Sequence, residues 1–267
     1  MGSLRSARFE ALGGGCELFA SGRADLASAQ GWVHAMHDRL TRFDPHSELS
    51  RLNAAAGSWI EVGPELEALL RASLDAFVAS GGLVHVGVLP ALLAAGYTRD
   101  FAVGQTAPTG DVVIAPPLPD MLEVAPGRAR LRRGTAIDLG GIAKGWLADR
   151  AVERIGGNCL ANFAGDLRAR GPGPEGDGWP VGFGTTTVLL RELGAATSGT
   201  NGRRWGPKLH HLIDPRTGRP ADTDLVEVSV LAPTGLEAEV LAKTALLLGR
   251  DAGARLLDER SQGSYLR

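Results

Sequence analysis

Apolar residues recur at helical spacing in two stretches of the chain. Leu26, Trp32, Val33, Met36 and Leu40 predict an amphipathic helix over 23–42. Leu66, Leu69, Leu70, Leu74, Phe77 and Val78 predict a second over 64–80, ending at Gly81-Gly82. A third segment, 235–249, is apolar nearly all round and is expected to be a buried helix. Shorter apolar runs read as strands. Residues 8–20 give two pieces joined by a turn or bulge at Gly13-Gly14-Gly15. Further strands are expected at 121–125, 128–132 and 135–138, at 159–168 as one buried strand ending in Gly165-Asp166, at 180–190, and with period two at 224–233.

The punctuation between these runs follows turn chemistry. Asp44-Pro45 makes a turn with Phe43 just before it, and Ser47 opens a short helix. Residues 83–92 run from strand-like into a helix with Pro90 in its first turn, and 98–120 are polar and proline-bearing, a long surface excursion. The Gly/Pro-rich run 171–180 is a loop and not a domain linker, because strand-like sequence resumes at once. Ala195 to Gly199 reads as a small-residue turn, and His210 to Gly218 as a strand entering a Pro-containing turn. The tail 250–267 holds more helix and a last strand around Ser264-Tyr265-Leu266.

Composition narrows the function classes. With 267 residues, 44% of them apolar, the chain is long enough for one large core or two smaller ones. A net charge of −2 with both signs interspersed gives no footprint for nucleic acid or an anionic membrane surface. No run of about 18 apolar residues is present, so no membrane span is expected, and Met1-Gly2-Ser3-Leu4-Arg5 lacks an apolar signal core; the sequence as written reads as cytoplasmic. Cys16 and Cys159 have no His or Cys neighbours at ligand spacing and read as free thiols. His34 and His37 lack a third ligand and read as surface residues, and a lone His85 in apolar surroundings reads as a satisfied core histidine.

The chemistry concentrates in Thr135-Ala136-Ile137-Asp138-Leu139-Gly140-Gly141-Ile142-Ala143-Lys144-Gly145. An Asp ends the strand, a Gly-Gly turn lets backbone N–H groups approach a ligand, and a helix N-terminus favours anions. Lys144, in the first helical turn, opposes the helix dipole, so an anion nearby is expected to answer it. Two histidines, His210 and His211, adjoin on one strand, so only one of them can face a given cleft. In the last buried helix Glu239 and Lys243 stand four apart. Lys243 falls on the otherwise apolar arc of Leu236 and Leu247, so partial burial and a partner are expected instead of an exposed ion pair worth about 0.3–0.5 kcal/mol.

Asp138 to Gly145, Asn162-Phe163-Ala164-Gly165-Asp166, Thr197-Ser198-Gly199 and His211-Leu212-Ile213-Asp214-Pro215-Arg216-Thr217-Gly218 occur in the order and spacing of the ApbE family, and Ser47 to Asn53 resembles its N-terminal signature. The resemblance implies an α+β (mixed α/β) fold in which two lobes of mixed sheet and helices form one composite domain over 1–267, with the site between the lobes. It implies transfer of FMN from FAD onto a Ser or Thr hydroxyl of a target flavoprotein, with AMP released. Asp138 and Lys144 align with the family's FAD contacts, and His211 with its general base. The Gly141 carbonyl aligns with a backbone ligand of Mg2+. Phe43 stands where the family often has a Tyr against a ring of FAD. Leu12, His85, Gly87, Thr197, Ser198 and Gly199 fall at further nucleotide-binding positions.

Departures from the pattern set the remaining expectations. Leu12-Gly13-Gly14 replaces the family's Met-Gly-Thr, and His85-Val86-Gly87 replaces Asp-Pro-Thr, which removes a carboxylate. Glu239 and Lys243 replace a metal-binding Asp and Thr, and a protonated ammonium offers a metal no lone pair. Two readings stand side by side: Lys243 takes the place of the ion in a working transferase, or the protein binds a flavin nucleotide without catalysis. An FAD pyrophosphatase giving FMN and AMP is a third, using the same cleft with water as nucleophile.

Overall fold

The structure, a computed structural model, describes residues 3–267; Met1 and Gly2 lie outside the described residues. Chain order begins with β1 (Leu4–Ala11), β2 (Gly14–Ser21), α1 (Leu26–Leu40), α2 (Glu48–Ala54), β3 (Ile60–Glu61) and α3 (Pro64–Ala79). It continues through α4 (Leu89–Ala94), α5 (Leu118–Met121), β4 (Leu122–Ala125), β5 (Arg128–Leu131) and α6 (Ala143–Ile155). Strands β6 (Asn158–Phe163), β7 (Asp166–Arg170), β8 (Trp179–Phe183), β9 (Thr186–Leu190) and β10 (Gly194–Gly199) follow. Then come the short strands β11 (Arg204–Gly206), β12 (Leu209–His210), β13 (Ile213–Asp214) and β14 (Arg219–Pro220), and finally β15 (Glu227–Ala232), α7 (Gly235–Leu248), α8 (Arg250–Arg260) and β16 (Gly263–Leu266). The class is mixed α+β, as the motifs imply.

Two compact units divide the chain. The first holds the residues up to His37 together with 142–198 and 224–267; the second holds 38–141 and 199–223. In the first, a seven-stranded sheet runs β1-β2-β6-β7-β10-β15-β16. Helix α6 packs on β6, β7 and α7, and α7 packs on β15 and α8. Strand β2 alternates as its sequence predicts, with Cys16, Leu18 and Ala20 buried. Both cysteines are free and buried, and burial pushes each thiol up to about 11. The second unit carries an antiparallel β3-β5-β4 sheet and two small hairpins, β11/β12 and β13/β14.

Five local expectations are corrected. Residues 135–138 form no strand, because the groups that would have paired with one are used otherwise: the Asn53 side chain donates to the Ile137 carbonyl (2.9 Å) and accepts from the Ile137 N–H (2.8 Å), and the Asp138 N–H goes to the Val86 carbonyl (2.8 Å). Residues 159–168 are a hairpin turning at Ala164-Gly165, which places Asp166 at the start of β7 and not at a strand end. Residues 194–199 are a strand and not a turn. Their small side chains serve close packing, since a Cβ on Gly194 would lie 2.3 Å from the Gly235 nitrogen. The start of 83–92 is no strand: Val86–Val88 form a single 3-10 turn capped by His85. In β15, Val228 to Ala232 are all buried, so both faces are covered and the period-two pattern is lost.

Candidate functional site

In the first unit the sequence motifs converge on the contact between α6 and α7. Glycine makes that contact possible: a Cβ on Gly145 would lie 2.3 Å from the Gly235 carbonyl oxygen. Helix α6 has Ile142 at its N-cap and no side-chain cap of its own, leaving first-turn N–H groups to be satisfied from elsewhere. Glu239 of α7 supplies one partner, its Oε2 accepting from the Gly145 N–H at 2.9 Å. The reverse service is done by Asp149 of α6, whose carboxylate accepts from the Gly235 and Leu236 N–H groups at the start of α7 (2.8 and 3.0 Å). The helix ends are thus capped reciprocally.

Lys144 finds the anion its position demands within the chain. Its ammonium pairs with the Asp166 carboxylate, itself 2% exposed, and the other Asp166 oxygen accepts from the Thr197 N–H at 3.3 Å. Thr197 Oγ1 meets Ser229 Oγ at 2.9 Å, and Ser198 is buried. Lys243 lies 3.9 Å from Glu239 Oε1 with its side chain 12% exposed, the partial burial and the partner that helix geometry predicts. Burial and the neighbouring Asp166 charge push the Glu239 carboxyl up, while Lys144, Lys243 and the Gly145 N–H pull it down. Two carboxylates and two ammoniums therefore sit together with no net charge.

That donor set does not fit Mg2+. The ion takes near-octahedral oxygen ligands at about 2.0–2.1 Å, whereas one Glu239 oxygen is held by a backbone N–H and the other faces an ammonium. Among the described residues, no group of three or more His, Cys, Asp or Glu side chains is placed to hold a metal. Leu12 lies in the β1–β2 turn with φ 56°, its N–H donating to His37 Nδ1 at 3.3 Å, so His37 orders a turn.

The second unit gathers Asp138 and Phe43 around a residue the sequence reading passed over, Arg42. Its side chain is 5% exposed and pairs with Asp138 Oδ2 at 2.8 Å, while Nη2 donates to the Tyr97 carbonyl at 2.8 Å. The guanidinium also lies over the Phe43 and Tyr97 rings at 4.3 and 4.7 Å. Asp138 Oδ1 accepts from the Gly140 N–H at 2.9 Å, which shapes the glycine turn that holds Gly141. Tyr97 stacks on Trp205 (5.4 Å between centroids), and Phe43 stays 38% exposed.

His85 and Gly87 belong to one buried turn. The Gly87 N–H donates to His85 Nδ1 (3.0 Å), so the ring proton sits on Nε2 and points to the Pro116 carbonyl at 2.9 Å. Both nitrogens are used, as expected of a core histidine, and burial holds the imidazole below its usual value. A Cβ at Gly87 would lie 2.6 Å from Met121 Sδ and from His85 Cε1, so a larger residue would require those side chains to shift. Beside this turn is a cavity of about 240 Å3 whose lining includes Gly87, Pro116, Thr135 and the exposed Arg132 and Arg133.

The two adjacent histidines are separated by their partners. His210 Nδ1 accepts from the Leu212 N–H (3.3 Å) and its Nε2 faces the Ala221 carbonyl (3.0 Å), so it is locked neutral and held below its usual value by burial. His211 follows β12 with its N–H on the Arg203 carbonyl at 3.2 Å and is half-buried. Its motif partner Asp214 accepts from the Arg216 guanidinium and N–H, and the Asp214 carbonyl accepts from the Thr217 and Gly218 N–H groups, fixing the Pro215 turn. Gly218 is required there: its φ is +64°, and a Cβ would lie 2.3 Å from the Val113 carbonyl oxygen.

The sequence pattern of the ApbE family matches residues 1–266. An FAD:protein FMN transferase of Treponema pallidum is 31% identical over 260 residues, 80% of this chain and 68% of the relative. One from Haemophilus influenzae is 31% identical over 151 residues, 49% of this chain, which spans 42% of that relative. In fold, the chain resembles the ApbE protein of Thermotoga maritima with a TM-score of 0.86 and 21% identity, over 99% of this chain and 94% of the other. By sequence match along nearly its whole length, the chain belongs to the ApbE family.

Proposed function

We propose that this protein is an FAD:protein FMN transferase acting on a hydroxyl of a target flavoprotein. In the reaction the acceptor oxygen bonds to the phosphorus of the FMN half. The pyrophosphate P–O bond breaks, AMP leaves, and the hydroxyl proton passes to His211 as general base. The base assignment is supported by the position of His211 in the His-x-x-Asp-Pro motif, beside His210, whose two ring nitrogens are committed to Leu212 and Ala221. Family membership and the relatives' names support the reaction class.

Asp138, Lys144, Leu12 and Thr197 to Gly199 are assigned to the nucleotide by their motif positions. Phe43 offers an exposed ring face for stacking. His85 and Gly87 contribute through the turn they shape, since the His85 ring is already engaged.

The test is incubation with FAD and a candidate acceptor, with and without Mg2+, following AMP release and covalent flavin fluorescence on a gel. Labelled acceptor with stoichiometric AMP is expected. AMP without labelled acceptor identifies a pyrophosphatase instead, and flavin binding without turnover a binding protein. His211→Ala is expected to lower transfer roughly 10²–10⁴-fold while sparing FAD affinity; retained transfer excludes His211 as base.

A further inference from the structure

The α6–α7 contact buries Asp166 and Glu239 side by side, 2% and 4% exposed at the side chain, an arrangement that demands cations. Both are supplied covalently by the chain: Lys144 pairs with Asp166, and Lys243 rises one helical turn beyond Glu239 on α7. The remaining polar capacity is turned inward, with Glu239 Oε2 on the Gly145 N–H and Asp166 Oδ1 on the Thr197 N–H.

We infer that this cluster excludes divalent ions, and that the Lys243 ammonium is its permanent counter-cation. A divalent ion beside Glu239 would meet the Lys243 charge at about the distance of its own ligand sphere, in a cluster that is already neutral. Admitting it would require Lys243 to leave a largely buried position or to lose its proton. A tethered charge of +1 cannot dissociate, so the site stays charge-balanced whatever the free metal concentration. Its consequence for catalysis rests on the transferase reading above: flavin binding and turnover proceed without added Mg2+, with a weaker electrostatic contribution than a +2 ion would supply.

The exclusion itself is tested without flavin, so the two readings fail separately. The full chain is titrated with Mn2+, following the free-ion EPR signal, and its melting temperature is measured with Mg2+ and with EDTA. No Mn2+ uptake and an unchanged melting temperature are expected; uptake of one Mn2+ per chain overturns the inference. The double variant Glu239→Asp, Lys243→Thr replaces the ammonium with oxygen donors and is expected to gain roughly 10–100-fold in Mn2+ affinity, the range over which single partners tune a metal site. Lys243→Gln, a milder change, serves if the double variant does not fold. A folded variant that gains no affinity shows that Lys243 is not what keeps the ion out, and also overturns the assignment. If FAD does not bind at all, only the transferase reading falls.

Discussion

The two units differ in how they hold their buried ionisable groups. The first encloses carboxylates, Asp149, Asp166 and Glu239, and closes them with backbone N–H groups, Lys144 and Lys243. The second pairs its buried carboxylates, Glu48 and Asp214, with arginines, and it alone of the two encloses imidazoles, His85 and His210, closed with backbone carbonyls so that they stay neutral. Its motif carboxylate, Asp138, is 19% exposed and is held by Arg42 beside an exposed Phe43 ring. In the first unit the charges serve as a frame that locks two helix starts together. In the second, Asp138 and Phe43 stay partly exposed beside the buried Arg42.

The largest expected effect breaks the frame. Lys243→Met leaves Asp166 and Glu239 facing each other with one ammonium between them, and loss of one partner from a buried pair costs about 3–5 kcal/mol. Burial and Asp166 already push the Glu239 carboxyl up, so the variant is expected to relieve part of the loss by protonating Glu239. Urea unfolding at neutral and mildly acidic pH reads both effects. A loss below about 1 kcal/mol would mean that Lys243 behaves as a surface lysine, and the contrast between the two units would then collapse.

Next in size is Arg42→Met, which removes a pair to Asp138, a hydrogen bond to the Tyr97 carbonyl and two ring contacts. Hydrogen bonds to charged groups are worth about 1.5–3 kcal/mol. Because Asp138 can rehydrate, the lower end is expected for stability, together with weaker FAD binding in a fluorescence titration. Arg42→Lys keeps the charge but loses the planar fork and the stacking, so it should recover little. Full recovery by Lys would reduce Arg42 to a point charge. Lys144→Ala separates the units further: it should weaken FAD more than riboflavin if Lys144 answers phosphate as well as Asp166, and equal weakening would leave it a frame residue only.

How much of this could be read in the chain depends on the range of the interaction. The amphipathic helices α1 and α3 and the buried α7 follow from periodicity, because one face of each is decided by local sequence. The partial burial of Lys243 was legible for the same reason, since its arc on α7 is set by helical geometry alone. The Asn53 clamp on Ile137 joins residues 84 apart in sequence, and no local pattern signals that a side chain will replace a strand partner. Gly194, Ala195 and Ala196 carry turn-like composition for a packing reason, the approach of Gly235, which only the fold reveals. Asp166 closes the Asn162–Asp166 motif, yet its pairing with Lys144 needs the β6–β7 hairpin to bring it round. Arg42 carried a faint signal, a basic residue beside the aromatic that precedes the Asp44-Pro45 turn.

The smallest expected effect lies in pH dependence, where the two units differ in sign. His85 and His210 have folded values depressed below 6.5, so the stability they contribute is present above 6.5 and lost as pH falls through the depressed values. Glu239 and Asp149 have raised values. Their contribution is present below the ordinary 4.5 and 3.8 and is lost as pH rises through the folded values. Stability measured by urea unfolding should therefore fall on the acid side of 6.5 because of the second unit. His85→Gln and His210→Gln should each flatten that limb, because glutamine has no proton to take up. Each replacement also forfeits part of a two-sided hydrogen-bond arrangement, of the order of 1 kcal/mol at neutral pH. The slope below 6.5 is therefore the measurement that separates titration from lost packing. An acid limb left unchanged in both variants would mean that neither histidine sets it, and because the raised Glu239 and Asp149 carboxyls act in the opposite direction, the proposed difference in sign between the units would fail.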